Sequence, residues 1–114
     1  FLRSVQSLLA RFSEKQRARR SVIRFYARFC GLCEQHGMRL SVANSALEIG
    51  RSAIQRFEER LPSEELRQLP IRIATAFNEV RFGKAELTDE QAASIGKDLT
   101  DFATALSNRK SQSS

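Results

Sequence analysis

Two cysteines and the chain's single histidine are the residues with the clearest capacity for chemistry. They form the pattern Cys30-Gly31-Leu32-Cys33, with His36 three residues further on. On a helix, a step of three residues turns the side chain by about 60°, so all three could face one metal ion. A tetrahedral zinc site needs a fourth ligand, however, and the sequence has no other Cys or His. The pattern favours two buried structural thiols, because free cysteines are among the most buried residues.

The same pattern is a poor match to redox, haem and nucleophile sites. A thioredoxin-like motif needs a strand before it, whereas Phe25-Tyr26-Ala27-Arg28-Phe29 places Cys30 in the middle of a helix. A c-type haem motif has His directly after its second cysteine, and here Glu34 follows Cys33. A nucleophile pair of Cys33 and His36 lacks a third polar group that would orient the imidazole. The sequence therefore predicts no catalytic residue, no cofactor and no metal site.

Adjacent carboxylates occur at three places, but their positions do not indicate acid–base catalysis. Glu64-Glu65 and Asp89-Glu90 fall in the first turns of predicted helices, where the helix dipole favours negative charge. Glu58-Glu59 lies near a helix end beside Arg60, which is typical of an exposed face. The phosphate-binding, dinucleotide-binding and zinc-protease motifs are absent from the sequence. The chain is therefore predicted not to be an enzyme.

Basic residues are concentrated near the start of the chain. The formal net charge is +6; residues 1–40 hold nine Lys/Arg against two acids, and residues 41–114 hold ten against eleven. Ahead of the densest part, apolar residues at helical spacing form a stripe over 2–12. The cluster itself consists of five cations with no acid among them: Lys15, Arg17, Arg19, Arg20 and Arg24.

This basic cluster has three interpretations. It could be a solvated helix face, a segment lying against an anionic membrane surface, or an arm that binds nucleic acid. The nucleic-acid alternative leaves the apolar stripe at 2–12 unexplained, whereas a stripe followed by cations fits the end of a membrane anchor. No stretch reaches the eighteen or so apolar residues of a membrane span. The chain starts at Phe1 instead of Met, so we expect a fragment or processed product.

Helix-ending and helix-starting residues divide the chain into about four helices. No Pro or Gly interrupts the first, basic helix before Gly31, and Gly37 provides its stop after about Glu34. Ser45 and Glu48 form a capping box that starts the second helix. The fold class predicted is all-α, a small bundle with a long basic N-terminal helix.

One residue of the third predicted helix does not fit an uninterrupted helix. Pro62 ends the second helix and Ser63 opens the third, but Pro70 should kink or split it into a turn at 63–69 and a helix at about 70–82. Gly83 closes it, and Thr88 with Gln91 forms a capping box for the last helix.

The predicted core is the set of apolar residues that recur at helical spacing: Val22, Ile23, Tyr26, Phe29, Cys30, Cys33, Ala46, Ile49, Ala53, Ile54, Phe57, Leu61, Ile73, Ala74, Phe77, Val80, Ala92, Ile95, Leu99, Phe102, Ala103 and Leu106.

These features predict one domain with two flanking segments. Residues 1–21 are a membrane-proximal basic amphipathic segment, residues 22–108 the helical domain and residues 109–114 a disordered tail. Gly31, Gly50 and Gly96 fall inside helical patterns, where each costs about 1 kcal/mol relative to Ala. Close approach of two helices is the expected compensation, with a tolerated surface position as the alternative.

Several motifs recur in a fixed order in one known family. They are Phe25-Tyr26-x-Arg28-Phe29-x-x-Leu32, the Gly37 stop, Ser45-x-x-Glu48-Ile49, Phe77-x-x-Val80-Arg81-Phe82-Gly83 and Leu87-Thr88. Over residues 22–106 the chain resembles the C-terminal domain, of unknown function, of bacterial membrane-bound transglutaminase-like proteins. Two departures are Ala46, where relatives often have Pro, and Pro70.

The resemblance implies a place in a larger protein. In that family, membrane helices and an extracytoplasmic transglutaminase-like domain precede a last span, and this domain follows on the cytoplasmic face of the inner membrane. Phe1 would then lie just after that span. The family's catalytic residues belong to the other domain, so none is transferred to this chain. The resemblance implies a non-catalytic regulatory, assembly or partner-binding role at the membrane surface, with self-association as a further option and a soluble nucleic-acid-binding module as the alternative.

Overall fold

A computed structural model describes residues 17–83 and 88–108, and this part of the chain is all-α and compact, with four α-helices and no strand. The helices are α1 (Arg17–Gln35), α2 (Ala46–Phe57), α3 (Glu64–Arg81) and α4 (Asp89–Ser107), with a 3-10 turn at Glu58–Arg60 between α2 and α3. The predicted all-α fold is confirmed. Lys15, the apolar stripe at 2–12, Leu87 and the tail at 109–114 lie outside the described residues.

The helices begin where side chains can satisfy free backbone amides. Both predicted capping boxes are present: the Ser45 hydroxyl accepts from the Glu48 amide at 3.1 Å, and the Thr88 hydroxyl accepts from the Gln91 amide at 3.1 Å. Ser63 caps α3 in the same way, accepting from the Leu66 amide at 3.2 Å. Local polar chemistry therefore sets three of the four helix starts.

Glycine ends α1, as the sequence predicts. Gly37 has a φ of +97°, and its amide donates to the Glu34 carbonyl, while the Met38 amide donates to the Cys33 carbonyl. This paired arrangement is a Schellman motif, which needs a left-handed residue at the position of Gly37. Arg56 of α2 also reaches this end of α1 and donates from Nε to the His36 carbonyl at 3.3 Å. Gly83, with a φ of +67°, ends α3 in the same conformation.

The predicted split of α3 into a turn at 63–69 and a helix at about 70–82 is wrong, because Glu64–Arg81 is one helix with Pro70 inside it. The alternative, a kink near Pro70, stays a prediction. The missing amide of Pro70 removes a single bond of the helical ladder, to the Leu66 carbonyl. Leu66, Leu69 and Pro70 are all buried, so the packing of this helical turn compensates for the lost bond.

Contacts between helices fix the direction of each one. Phe25 approaches Gly96, and Phe29 approaches Phe102, so α1 and α4 run parallel. Arg72 of α3 forms an ion pair with Asp98 and a hydrogen bond with Ser94, while Leu66 and Ala105 line the same groove, so α3 runs antiparallel to α4. The start of α1, the end of α3 and the start of α4 therefore lie at the same end of the bundle.

Aromatic rings join all four helices in one apolar core. Tyr26 stacks on Phe77 with ring centroids 4.1 Å apart, and Phe102 makes edge contacts with Phe29 at 5.6 Å and Phe57 at 6.1 Å. Two predicted core residues, Ile54 and Ala103, are only half-buried, while Ala105 is buried instead. The remaining predicted core residues are buried.

Glycine at position 50 permits close contact between α2 and α3, and Gly31 has no such role. A Cβ at position 50 would lie 2.7 Å from the Pro70 carbonyl oxygen, whereas a Cβ at position 31 would meet nothing within 4 Å. Gly96 resembles Gly50, but its near neighbour is the half-buried ring of Phe25, which can shift.

We expect Gly50→Ala to destabilise the fold by about 1–2 kcal/mol. The free-energy cost of the clash between the new methyl group and the backbone of α3 should exceed the gain from the higher helix propensity of Ala. Gly31→Ala is the matched control and should stabilise it by about 0.5–1 kcal/mol. Urea unfolding followed by far-UV circular dichroism measures both changes. Stabilisation of similar size by both variants would show that α2 and α3 do not meet at Gly50.

Candidate functional site

The two thiols lie in the core and are held in their neutral form. Cys30 and Cys33 are free and fully buried, and Cys30 shares a side-chain hydrogen bond with Tyr26. Burial raises the pKa of Cys30 to about 12, against the opposing effect of the Tyr26 hydrogen bond. Burial, together with the charges of Cys30 and Glu34, also raises the pKa of Cys33 above its ordinary value. A thiol must ionise to act as a nucleophile or a metal ligand, so this arrangement suits packing.

His36 is close to the thiols in sequence but packs in a different place. Its ring is half-buried and makes an edge contact with Phe57 at a centroid distance of 6.3 Å. Within residues 17–83 and 88–108, no three His, Cys, Asp or Glu side chains are grouped so that they could hold a metal ion. The pattern from Cys30 to His36 is therefore accounted for by the core and by the end of α1.

The exposed side of α1 carries a row of arginines. Arg17, Arg24 and Arg28 are exposed, and the ~100° step per residue places them within about 40° of one another around the helix. Tyr26, in the core, lies about 180° away from them. We call these three residues the arginine face. It is about 16 Å long, from the helical rise of 1.5 Å per residue.

The structure divides the predicted basic cluster. Arg20 is half-buried at the edge of the arginine face, and Arg19 is half-buried on the side of α1 that turns towards the core. Arg28 joins the face, although the sequence pattern assigned it only to the family motif. Its helical phase relative to Arg17 and Arg24 is the signal that could have identified it. Glu34 is the only acid in α1, so the face is not neutralised from its own helix.

Within the described part of the chain, acidic residues of the other helices form no ion pair with the arginine face either. Within the described part of the chain, the ion pairs are Arg67–Glu64, Arg72–Asp98 and Lys97–Asp101. None of them involves the arginine face, which leaves its three guanidinium groups directed at solvent. Guanidinium groups bind the oxygens of phosphates and carboxylates with planar, paired hydrogen bonds.

The motif at the end of α3 combines core residues with an exposed aromatic ring. Phe77 and Val80 are buried, and Gly83 ends the helix. Arg81 is exposed and places its guanidinium carbon 5.5 Å from the centroid of the Phe82 ring. Phe82 remains 62% exposed. Phe25, Tyr26 and Phe29 of the other motif pack in or against the core, while Arg28 is exposed.

A groove of about 570 Å³ lies between the start of α3 and the second half of α4. Its lining includes the carboxylates Glu65, Asp98 and Asp101. Asp98 and Asp101 already pair with Arg72 and Lys97. The groove thus offers little free charge, and the arginine face is the stronger candidate site.

Comparison with protein-family models, with curated proteins and with solved structures found no match to this chain. None of the helices in the described part of the chain is long and apolar enough to cross a bilayer. The interpretation of function therefore depends on the geometry of the arginine face.

Proposed function

We propose that this chain is a non-catalytic helical domain that binds an anionic membrane surface through the arginine face of α1. In the parent protein that the motifs suggest, a transglutaminase-like membrane protein, the domain would lie on the cytoplasmic side and serve regulation, assembly or partner binding. The observation that carries the proposal is the alignment of Arg17, Arg24 and Arg28 on the side of α1 opposite the core.

The chemistry of the face supports a phosphate-bearing partner. Three exposed guanidinium groups on one helix form a row of cations about 16 Å long. Each Lys or Arg near an anionic lipid surface contributes about 1 kcal/mol to binding, and this contribution weakens as salt rises. The three side chains lie along one side of a single helix, within about 40° of one another, so all three can reach a flat surface at once.

The buried thiols support the non-catalytic part of the proposal. Cys30 and Cys33 are fully buried, and their raised pKa values keep them protonated at neutral pH. Among the described residues, the thiols therefore provide packing at the centre of the domain, and the exposed cations provide the surface chemistry.

Vesicle binding tests this function. The full chain should co-sediment with vesicles that contain about 30% phosphatidylglycerol, and not with phosphatidylcholine vesicles. We expect R17Q/R24Q/R28Q to weaken this binding roughly 100-fold, since three contributions of about 1 kcal/mol are removed. The matched control is R39Q/R51Q/K97Q, which removes the same charge from exposed positions outside α1 and should weaken binding less than fivefold.

Two outcomes would contradict the proposal. Equal losses in the two triple variants would show that net charge, not the arginine face, determines binding. Binding to an oligonucleotide that is tighter than vesicle binding, and is lost in R17Q/R24Q/R28Q, would favour the nucleic-acid module instead.

A further inference from the structure

One hydroxyl group lies among the guanidinium groups of the arginine face. Ser21 lies within about 40° of Arg17 around α1, and along the helix it lies between Arg17 and Arg24. Ser21 is half-buried, and its side chain makes no hydrogen bond with another described residue. The hydroxyls of Thr100 and Thr104 in α4, by contrast, each donate to the carbonyl four residues earlier at 3.1 Å. The fold therefore leaves the Ser21 hydroxyl available as a donor.

Helix geometry directs two guanidinium groups towards this hydroxyl. Side chains on an α-helix lean towards its N-terminus and cover the preceding turn. Arg24, three residues after Ser21, is thus directed towards it, and Arg28 is directed towards Arg24 in the same way. Ser21 and Arg28 are separated by roughly 10 Å along the axis, a gap that a long side chain and one phosphate group can span together. One hydroxyl and two guanidinium groups can therefore donate to a single ligand.

The nearest acidic residues flank these three donors but do not lie among them. The contacts of α1 with α4 place Asp89 and Glu90, in the first turn of α4, level with Arg17. Glu34, the one acid of α1, lies near the other end of the helix and about 100° around it from Arg17. Negative charge is therefore concentrated beyond the ends of the group formed by Ser21, Arg24 and Arg28.

The acids of α3 face away from these donors. Tyr26, which stacks on Phe77 of α3, lies about 180° around α1 from the arginine face, so Glu79 in the last turn of α3 is on the far side. The part of α4 that is level with the donors, residues 93–100, has Lys97 and Asp98 as its charged residues, and Asp98 pairs with an arginine of α3. The field around the three donors is therefore positive.

We infer that Ser21, Arg24 and Arg28 recognise the phosphomonoester headgroup of an anionic lipid in preference to a phosphodiester headgroup. This inference rests on the proposed function, because it names the headgroup that the arginine face selects. A phosphomonoester has a charge of about −1.5 to −2 at pH 7 and three strong acceptor oxygens. A phosphodiester has a single charge and two free oxygens, so it would leave one of the three donors without an acceptor.

Vesicles that differ in the headgroup phosphate test this inference. Phosphatidic acid supplies the monoester and phosphatidylglycerol the diester, each mixed with phosphatidylcholine in the amount that gives equal zeta potentials. We expect the full chain to bind the phosphatidic acid vesicles about tenfold more tightly, the effect of one additional hydrogen bond to a charged group.

Ser21→Ala should reduce this preference to roughly twofold and leave phosphatidylglycerol binding unchanged, because Ala keeps the helix and the charge. Ser52→Ala is the matched control, the same change at an exposed position of α2, and should keep the full preference. R24K/R28K keeps the charge but removes the paired hydrogen bonds of the guanidinium groups, so it should also lower the preference.

The outcomes separate this inference from the proposed function. Equal affinity of the unchanged chain for the two vesicle types would overturn the inference and leave lipid binding by the arginine face in place. A full preference that persists in Ser21→Ala would show that the headgroup is selected without this hydroxyl, which also overturns it. If the unchanged chain binds neither vesicle, both ideas fail. Displacement from phosphatidic acid vesicles by micromolar glycerol 3-phosphate would replace the lipid with a soluble phosphomonoester.

Discussion

Phe102→Ala should lower the free energy of unfolding by about 3–5 kcal/mol, the usual cost of removing a fully buried aromatic ring. Phe102 is fully buried and lies between Phe29 and Phe57, with ring centroids 5.6 and 6.1 Å away. It thereby joins α4 to both α1 and α2. A domain of this size has about 5–15 kcal/mol of stability in total, so the loss would remove a large part of it.

Urea unfolding followed by far-UV circular dichroism measures this loss, because the signal reports all the helices together. Phe82→Ala is the matched control, the same change at an exposed ring, and should alter stability by less than about 0.5 kcal/mol. A loss below 1.5 kcal/mol for Phe102→Ala would show that the ring is not at the centre of the core.

Alkaline pH should unfold the domain, starting above about pH 9. Burial raises the pKa of Cys30 from 9.0 to about 12, and burial also raises the pKa of Cys33 and Tyr26 above their ordinary values of 9.0 and 10.0. At a pH between a group's pKa in the unfolded chain and its pKa in the folded domain, that group is ionised in the unfolded chain and protonated in the folded one. The unfolded state then binds fewer protons, so stability falls as pH rises.

The slope of this fall identifies the groups responsible. Each group contributes about 1.4 kcal/mol per pH unit, so the two thiols give about 2–3 kcal/mol per pH unit above pH 9, with Tyr26 adding to this above pH 10. Urea midpoints between pH 7 and 10.5, measured with reductant present, test the prediction. Cys33→Ala should reduce the slope between pH 9 and 10 by about half, whatever its effect on stability at pH 7. Stability that is constant from pH 7 to 10.5 would contradict burial of the thiols.

Sequence reasoning predicted most of the helical framework, because local chemistry determines it. Ser45 with Glu48 and Thr88 with Gln91 cap helices through contacts within four residues. Gly37 and Gly83 end helices because their backbones adopt positive φ. The burial of Cys30 and Cys33 also followed from sequence, since the helical period places them on the same side as Tyr26.

The rest depends on contacts between residues far apart in the sequence. Burial of the helical turn that contains Pro70 keeps α3 continuous, and local propensity does not report that packing. Gly50 and Gly31 look alike in sequence, but only Gly50 has another helix against it. Arg28 is an exception, because the helical phase of α1 is a local property and would have placed it on the arginine face and Arg19 towards the core. The exposure of Phe82 could not be predicted from the sequence, because it depends on which helices end beside this ring.

The contact between Phe29 and Phe102 has a consequence for synthesis of the protein on the ribosome. Phe29 belongs to the first helix described and Phe102 to the last, so the part of the apolar side of α1 that packs on α4 stays uncovered until α4 has emerged. At about 5–20 residues per second, the intervening stretch takes roughly 4–15 seconds to translate. During that time the nascent chain carries exposed aromatic rings beside a row of cations, which is a surface that chaperones and anionic lipids can both capture before the domain has folded.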